Sequence, residues 1–323
     1  MMTTEPLLVR PLPDDWAVVP YHLAIGTIGY ERRARYVFDK FGPRGSIGSV
    51  ACGFTEQQVL AYDENADWFR EGGFSIDHKH DSEYAAWLAG KLDLLRNLNG
   101  NARILVDISS LTRVRLAHLI EQFRHAAVDR SIEVTFIYSL AVYTPPTSAA
   151  QYNSHVGPVT SAFAGWWEEP DRAAAAIVGL GYEEDKALGA VEHLQSSYVW
   201  LFVPTSKIGE YSDALARANR TLLEIVPPAR QIGYRVHDPH ESFIKLESLI
   251  YGVSRSHNAV LLPFGPKLFA LYALLVGALH PNVAVWRVSA EGLEEPVDRE
   301  GSGLVYGLQV EFVSPELELP ELD

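Results

Sequence analysis

Cysteine is almost missing from this sequence, since Cys52 is the only one in 323 residues. A single cysteine excludes a disulfide framework and a metal site built from several thiolates. Long apolar runs are missing too: the most apolar stretch, Leu268 to Leu279, is too short to span a bilayer and predicts a buried helix. Residues 1–13 show no basic and then apolar signal sequence. We therefore expect a cytoplasmic protein with no membrane partner.

Basic residues are outnumbered: 27 Lys and Arg face 41 Asp and Glu, which gives a formal net charge of -14 at pH 7. Binding to duplex nucleic acid normally needs a basic face, so we expect no such partner. A small anionic ligand is compatible with this charge, because helix amino termini and a few basic side chains can form a local positive pocket. The acidic residues from Glu291 to Asp323 are interpreted as a solvated edge strand with a frayed end.

Several signatures of enzymes and cofactors are absent as well. There is no Walker loop, HExxH, Cys–His pairing or nucleophile elbow. Gly26-x-x-Gly29 lacks the full G-x-G-x-x-G fingerprint, and acidic residues follow Gly179-x-Gly181 where a pyrophosphate would have to approach. We favour structural turns at these glycines and expect no cofactor.

What the sequence does contain is an alternation of short apolar runs with helical patterns. In the first half the predicted strands are Tyr21 to Gly26, Ser46 to Gly53, Phe74 to Ile76, Ile104 to Ile108 and Val134 to Ser139. Helices of ordinary length separate them. This alternation is typical of an α/β fold with a mostly parallel sheet.

The second half repeats the order of the first. Four features recur in the same sequence order: Tyr30-Glu31 and Tyr182-Glu183, Asn65 and Asn219, His80-Asp81-Ser82 and His240-Glu241-Ser242, and Arg113 and Lys267. We therefore predict two tandem Rossmann-like units that form a pseudo-dimer. The expected boundaries are 1–145 for the first unit, 146–172 for a connector and 173–323 for the second unit with its acidic tail.

The most distinctive stretch, RILVDISSLTR, runs from Arg103 to Arg113. An apolar run ends in an acid, and hydroxyl side chains and an arginine precede a helical pattern. In a parallel sheet these residues lie at the carboxyl end of a strand and at the amino end of a helix, where an anion is favoured. A plain helix cap is the alternative, although an arginine in a first turn opposes the helix dipole.

Within this stretch, Asp107-x-Ser109-x-x-x-Arg113 resembles the motif of CARF domains, Rossmann-like sensors of cyclic oligonucleotides. The two-copy layout is similar to SAVED domains, which fuse two CARF-like units in antiphage signalling. The resemblance implies a cyclic oligoadenylate, or a cyclic tri- or tetranucleotide, and an effector protein as partner. Leu261 and Pro263 replace the acid and the hydroxyl in the second copy, so the first half should dominate ligand contact.

Ligands of open parallel sheets bind at the carboxyl ends of the strands, so we expect the two halves to share a cleft. The candidate ligand-binding residues are the glycine turns, the hydroxyl cluster and the basic helix starts: Gly26, Thr27, Gly29, Tyr30, Glu31, Asp107, Ser109, Ser110, Thr112, Arg113, Gly179, Gly181, Tyr182, Glu183, Gly265 and Lys267.

Two clusters of histidine and aspartate follow the third strand of each half: Asp77, His78 and His80, and His237, Asp238 and His240. Metal ligation is one interpretation, but we favour loop and capping roles and expect no metal. A third is that His80 and His240 contact ligand phosphates or act as an acid/base pair.

Three functions follow. The favoured one is a sensor that binds a cyclic oligonucleotide and signals to a partner. The second is an enzyme on the same scaffold: a metal-independent, ring-nuclease-like phosphodiesterase, or a nucleotide- or nucleoside-processing enzyme, with Arg113, Lys267, His80 and His240 as candidate catalytic residues. The third is a scaffold subunit with a vestigial cleft.

Overall fold

The structure is a computed structural model that describes residues 7–128, 130–145, 155–165, 171–289 and 296–314. It divides into two compact units. The first comprises Met1–Val142 with Pro296–Asp323, and the second comprises Tyr143–Glu295.

In chain order, the strands of the described residues are β1 (Leu7–Pro11), β2 (Tyr21–Ile28), β3 (Gly45–Phe54), β4 (Ser75–Lys79), β5 (Ala102–Asp107), β6 (Ile132–Ala141), β7 (His155–Pro158), β8 (Ala174–Gly179), β9 (Tyr198–Thr205), β10 (Gln231–Arg235), β11 (Asn258–Pro263), β12 (Ala284–Ser289) and β13 (Gly301–Phe312). The α-helices are α1 (Tyr36–Phe41), α2 (Tyr62–Glu71), α3 (Tyr84–Leu92), α4 (Arg113–Ala126), α5 (Lys186–Leu194), α6 (Gly209–Ala218), α7 (Arg220–Ile225), α8 (Pro239–Val253) and α9 (Lys267–Leu279).

The first unit is built on a seven-stranded sheet in the order β1-β13-β6-β5-β2-β3-β4. The five strands from β6 to β4 are parallel, while β13 runs antiparallel to both β6 and β1. Because the chain builds outwards in both directions from β2, the strand order reverses between β2 and β5. Ligands of open parallel sheets bind at the carboxyl edge beside such a point, and we call this place the crevice of the unit.

The second unit repeats this design in a six-stranded sheet with the order β10-β9-β8-β11-β12-β7. The strands from β10 to β12 are parallel, and β7 runs antiparallel to β12. The reversal lies between β8 and β11, the counterparts of β2 and β5. The predicted α/β fold, with two tandem units and mostly parallel sheets, is confirmed.

The outermost antiparallel strands differ from the expected boundaries. β7 lies in the expected connector and completes the second unit's sheet, whereas β13 was assigned to the second unit and completes the first unit's sheet. Burial explains the position of β13: Leu308, Val310 and Phe312 alternate along the strand and are 0–1% exposed. Between β6 and β1, β13 pairs with the backbone groups of both strands, and these side chains extend the apolar face of the first sheet.

The helices follow their apolar patterns. In α9 all side chains from Leu268 to Ala278 are buried, as the apolar run predicts for an internal helix. Helix α1 ends at Gly42, whose φ of 66° is the left-handed conformation that glycine adopts without strain. Within the described residues, no helix is both long and apolar enough to cross a membrane.

Candidate functional site

The distinctive stretch lies where its pattern predicted, at the crevice of the first unit. β5 ends at Asp107 and α4 begins at Arg113. The loop after β2 touches the loop after β5: a Cβ built on Gly29 would lie 2.8 Å from Ser110 Cβ. A side chain in place of Gly29 would push these loops apart. We call the two loops, residues 29–35 and 108–112, the crevice loops.

Two predicted ligand contacts are instead part of the internal structure. Asp107 Oδ1 accepts hydrogen bonds from Ser109 N at 2.9 Å and from Ser109 Oγ at 2.5 Å. Ser139 N donates to Ser109 Oγ at 2.8 Å. Asp107 and Ser109 are 2% and 0% exposed. Their main role is therefore to join the carboxyl ends of β5 and β6 and to shape the crevice loop, which corrects the expectation of direct ligand contact.

Thr112 caps the helix that follows. Its Oγ1 accepts a hydrogen bond from Arg115 N at 3.1 Å and donates to Asp81 Oδ2 at 2.8 Å. Arg113 is the first residue of α4 and is half-buried. A cation at this end opposes the helix dipole, and an anion bound there would offset the repulsion.

Arg115, two residues further along α4, is a fully buried arginine that the sequence patterns did not identify. Its Nε lies 2.7 Å from Asp81 Oδ1, and its Nη atoms donate to backbone oxygens at the ends of β3 and β4: Cys52, Gly53 and Lys79. The guanidinium also lies 3.7 Å from the centre of the Phe54 ring. One side chain thus ties the start of α4 to two strand ends. Its sequence pattern, an arginine on an amphipathic helix, does not distinguish it from a surface residue.

Glu31, another predicted ligand contact, is buried between two arginines. Arg33 Nε donates to Glu31 Oε2, and Arg299 Nη1 donates to Glu31 Oε1 at 2.9 Å. Arg33 is 5% exposed and also donates to Ser139 O at 2.9 Å. Burial alone would lower the pKa of Arg33, but its interactions with Tyr138 and with the Glu31 carboxylate outweigh burial and raise that pKa. Glu31 therefore holds the loop in place within this internal ion cluster.

Asparagine fixes the corresponding loop in both units. Asn65 Nδ2 donates to Gly29 O and to Glu31 O, each at 2.8 Å. Asn219 Nδ2 donates to Gly181 O at 2.6 Å. The two residues paired by the sequence repeat thus perform the same task, which is to satisfy a carbonyl of the loop after the central strand.

Gly26 and Thr27 lie within β2 and not in a turn after it. A Cβ on Gly26 would lie 2.8 Å from the Phe69 ring, so this glycine makes room for the core, and it is corrected as a ligand contact. Thr27 is 2% exposed. Among the described residues, Thr27 Oγ1 and Ser110 Oγ are buried oxygens with no hydrogen-bond partner. Tyr30 is half-buried at the carboxyl edge.

In the second unit the backbones of the two corresponding loops are in direct contact. Gly179 O accepts hydrogen bonds from the amides of Phe264 and Gly265, both at 2.9 Å. Cβ atoms on Gly181 and Gly265 would lie 2.7 Å from Phe264 O and 2.8 Å from Leu180 O. These glycines allow two loops to touch, which agrees with the structural turn favoured from the sequence.

The other candidates of the second unit lie around that turn. Lys267 begins α9, as Arg113 begins α4. Tyr182 packs against Tyr143 and Tyr211, with ring centres 6.3 and 5.5 Å away. Glu183 lies 3.8 Å from Lys186 Nζ.

Four residues of the histidine and aspartate clusters have local partners. His80 Nδ1 accepts a hydrogen bond from Ser82 N at 3.3 Å and caps a short helical turn, and Asp238 caps α8. His78 Nδ1 lies 2.7 Å from the Tyr62 hydroxyl. Asp77 accepts from Trp87 Nε1 at 2.8 Å. In the part of the chain that the structure describes, no group of three or more His, Cys, Asp or Glu is arranged to hold a metal ion.

No protein-family model and no curated protein matches the chain. Among solved structures, the cytoplasmic domain of a prokaryotic cation chloride cotransporter aligns with 85% of this chain and 98% of its own, at 11% identity and a TM-score of 0.25. A similarity this low supports no inference about function.

Proposed function

We propose that this chain is a sensor that binds a cyclic oligonucleotide at the crevice of its first unit and passes the signal to an effector protein. One observation carries the proposal. The crevice loops meet just before α4, which begins at Arg113, and Ser110 in one of these loops has a hydroxyl with no hydrogen-bond partner among the described residues.

The chemistry of this edge suits a phosphate. Helix α4 has 14 residues, long enough for a developed dipole whose positive end lies at Arg113. Hydroxyl groups donate to phosphate oxygens, and arginine offers a forked pair of donors. Ser110 Oγ has no hydrogen-bond partner among the described residues and would gain one from a phosphate oxygen on binding. The resemblance to CARF and SAVED domains narrows the anion to a cyclic oligonucleotide.

The two units are not expected to contribute equally. In the second unit β11 ends at Pro263, and the amides of Phe264 and Gly265 in the turn before α9 donate to Gly179 O. Only Lys267 remains of the basic and hydroxyl cluster there. We therefore assign the main ligand contacts to the first unit.

A panel of nucleotides tests the proposal: cyclic tri- and tetra-adenylate, their linear counterparts and a cyclic dinucleotide. A ligand at a hundredfold excess over its Kd adds about 2.7 kcal/mol to the stability of the folded state, which thermal unfolding detects. Chromatography of the same mixtures detects cleavage. Binding without cleavage supports the sensor, and cleavage that is lost in Arg113→Gln supports the phosphodiesterase instead.

Lys267→Gln is the matched control, because Lys267 begins the equivalent helix in the second unit. We expect Arg113→Gln to weaken nucleotide binding at least tenfold and Lys267→Gln to change it little. If no nucleotide stabilises the protein, the sensor is refuted. If both variants lose affinity equally, the assignment to the first unit is wrong.

A further inference from the structure

The crevice loop 29–35 of the first unit is held by chain that arrives after the second unit. Residues 298–300 directly precede β13, and we call them the returning segment. Arg32 N donates to Asp298 Oδ1 at 2.9 Å, and Arg33 N donates to Arg299 O at 3.1 Å. These bonds fix two consecutive amides of the loop.

Side-chain ion pairs reinforce the backbone contacts. Arg32 Nε lies 3.1 Å from Asp298 Oδ2, and Arg32 Nη1 lies 2.9 Å from Glu300 Oε1. On the buried side, Arg299 Nη1 donates to Glu31 Oε1 at 2.9 Å. The Glu31 side chain is only 8% exposed, so its charge depends on the arginines around it.

The contacts continue to the other crevice loop. Arg33, the second arginine on Glu31, donates to Ser139 O at the end of β6. Ser139 N in turn donates to Ser109 Oγ, which is bound to Asp107. A continuous series of hydrogen bonds thus runs from the returning segment through Glu31 and Arg33 to the turn that leads into α4.

We propose that the returning segment is a positioning element of the ligand site, so that the site is complete only when the chain has passed through the second unit and come back. Asp298 holds the Arg32 amide, and Arg299 holds Glu31 in its buried position. The role of the returning segment in ligand binding rests on the proposed function, whereas its hydrogen bonds and ion pairs to loop 29–35 do not. A loop with two fixed amides and a buried ion cluster presents a preformed surface to the ligand, which lowers the entropic cost of binding.

Four variants of the full chain test the hold on the loop by amide hydrogen exchange in residues 29–36. Asp298→Ala removes the acceptor for the Arg32 amide, and Arg299→Ala removes the guanidinium from Glu31. Asp298→Asn keeps an acceptor oxygen at the same place. Arg10→Ala is the control, because it also removes an ion pair to β13, with Glu311 at 2.8 Å, but at the far end of that strand.

We expect hydrogen exchange of the Arg32 amide to accelerate at least tenfold in Asp298→Ala. In Arg299→Ala we expect the same acceleration for the amides of the whole loop. Asp298→Asn should retain most of the protection of the Arg32 amide, and Arg10→Ala should leave hydrogen exchange in the loop unchanged. Equal exchange in all four variants and the unaltered chain overturns the proposal. So does acceleration in Arg10→Ala as large as in Asp298→Ala, because the loop then responds to β13 in general.

Affinity for cyclic tri- and tetra-adenylate separates the two proposals. If the unaltered chain binds either probe, Asp298→Ala and Arg299→Ala should weaken binding at least tenfold, and unchanged affinity refutes the positioning role. If the unaltered chain binds neither probe and no other nucleotide, the proposed function fails. The exchange results then still decide whether the returning segment holds the loop.

Discussion

Replacing Arg115 is the most direct test of how the first unit is held together. Its side chain is 0% exposed and pairs with Asp81 at 2.7 Å. It also donates to the backbone oxygens of Cys52, Gly53 and Lys79 at 3.3, 3.2 and 2.6 Å. Methionine fills similar volume without donors, so Arg115→Met leaves these acceptors without their shared partner.

The expected loss of stability is large because the Arg115 side chain is fully buried. Removing one partner of a buried ion pair costs about 3–5 kcal/mol, and the Asp81 side chain is 28% exposed, which places this pair at the lower end. We therefore expect Arg115→Met to lower the free energy of unfolding by about 3 kcal/mol. For a unit of this size that corresponds to a Tm decrease of about 6–12 °C.

The measurement is urea-induced unfolding followed by circular dichroism. Hydrogen exchange of residues 75–79 should accompany it, because two units need not unfold in one step. Arg96→Met is the control: Arg96 pairs with Asp93 at 2.7 Å, but its side chain is 76% exposed, and we expect a change within about 0.5 kcal/mol.

A double-mutant cycle of Arg115→Met with Asp81→Asn measures the interaction energy between Arg115 and Asp81. The double variant should lose less stability than the sum of the two single variants, by about 0.5–3 kcal/mol. If Arg115→Met unfolds at the same urea concentration as Arg96→Met, the network does not stabilise the unit as its geometry requires.

Two further predictions concern the repeat and the single thiol. Asn65→Ala and Asn219→Ala should each lower the free energy of unfolding by about 1–3 kcal/mol, because each removes the hydrogen-bond donor to a loop carbonyl. An unchanged midpoint of urea unfolding in either variant would contradict the shared role. Burial raises the pKa of the Cys52 thiol to about 11 from its usual 9.0. The contribution of the protonated thiol to stability is therefore complete below about pH 9 and is lost as the pH rises towards 11. Ultraviolet titration of the thiolate measures this pKa, and ionisation near pH 9 would refute the prediction.

The position of Asp107 and Ser109 at a strand end was predictable from the sequence, but the hydrogen-bond partners of their side chains were not. A run of apolar residues ending in Asp107 predicts a strand end, and β5 ends at that residue. Whether Asp107 and Ser109 face a ligand or the protein depends on partners such as Ser139 N, thirty residues further along the chain. A local pattern shows which chemistry a residue offers and not whether the fold has already used it.

Other features had no sequence signal of their own. Arg115 occupies an ordinary position in an amphipathic helix, and only the packing of β3, β4 and α3 around it makes it internal. Arg299 stands 268 residues from Glu31, in a segment whose acidic composition indicated a solvated edge strand. Its role arises because β13 returns to the first unit.

Local patterns in the sequence were enough to predict the alternation of strands and helices, the duplication, and the equivalence of Asn65 with Asn219 and of Arg113 with Lys267. These features depend on local periodicity and on residues that recur in the same order. Which sheet receives β7 and β13, and which charges lie buried, became clear only from the folded chain. A strand joins a sheet edge whose backbone groups it can pair and whose apolar face it extends, and both are formed by residues far away in the chain.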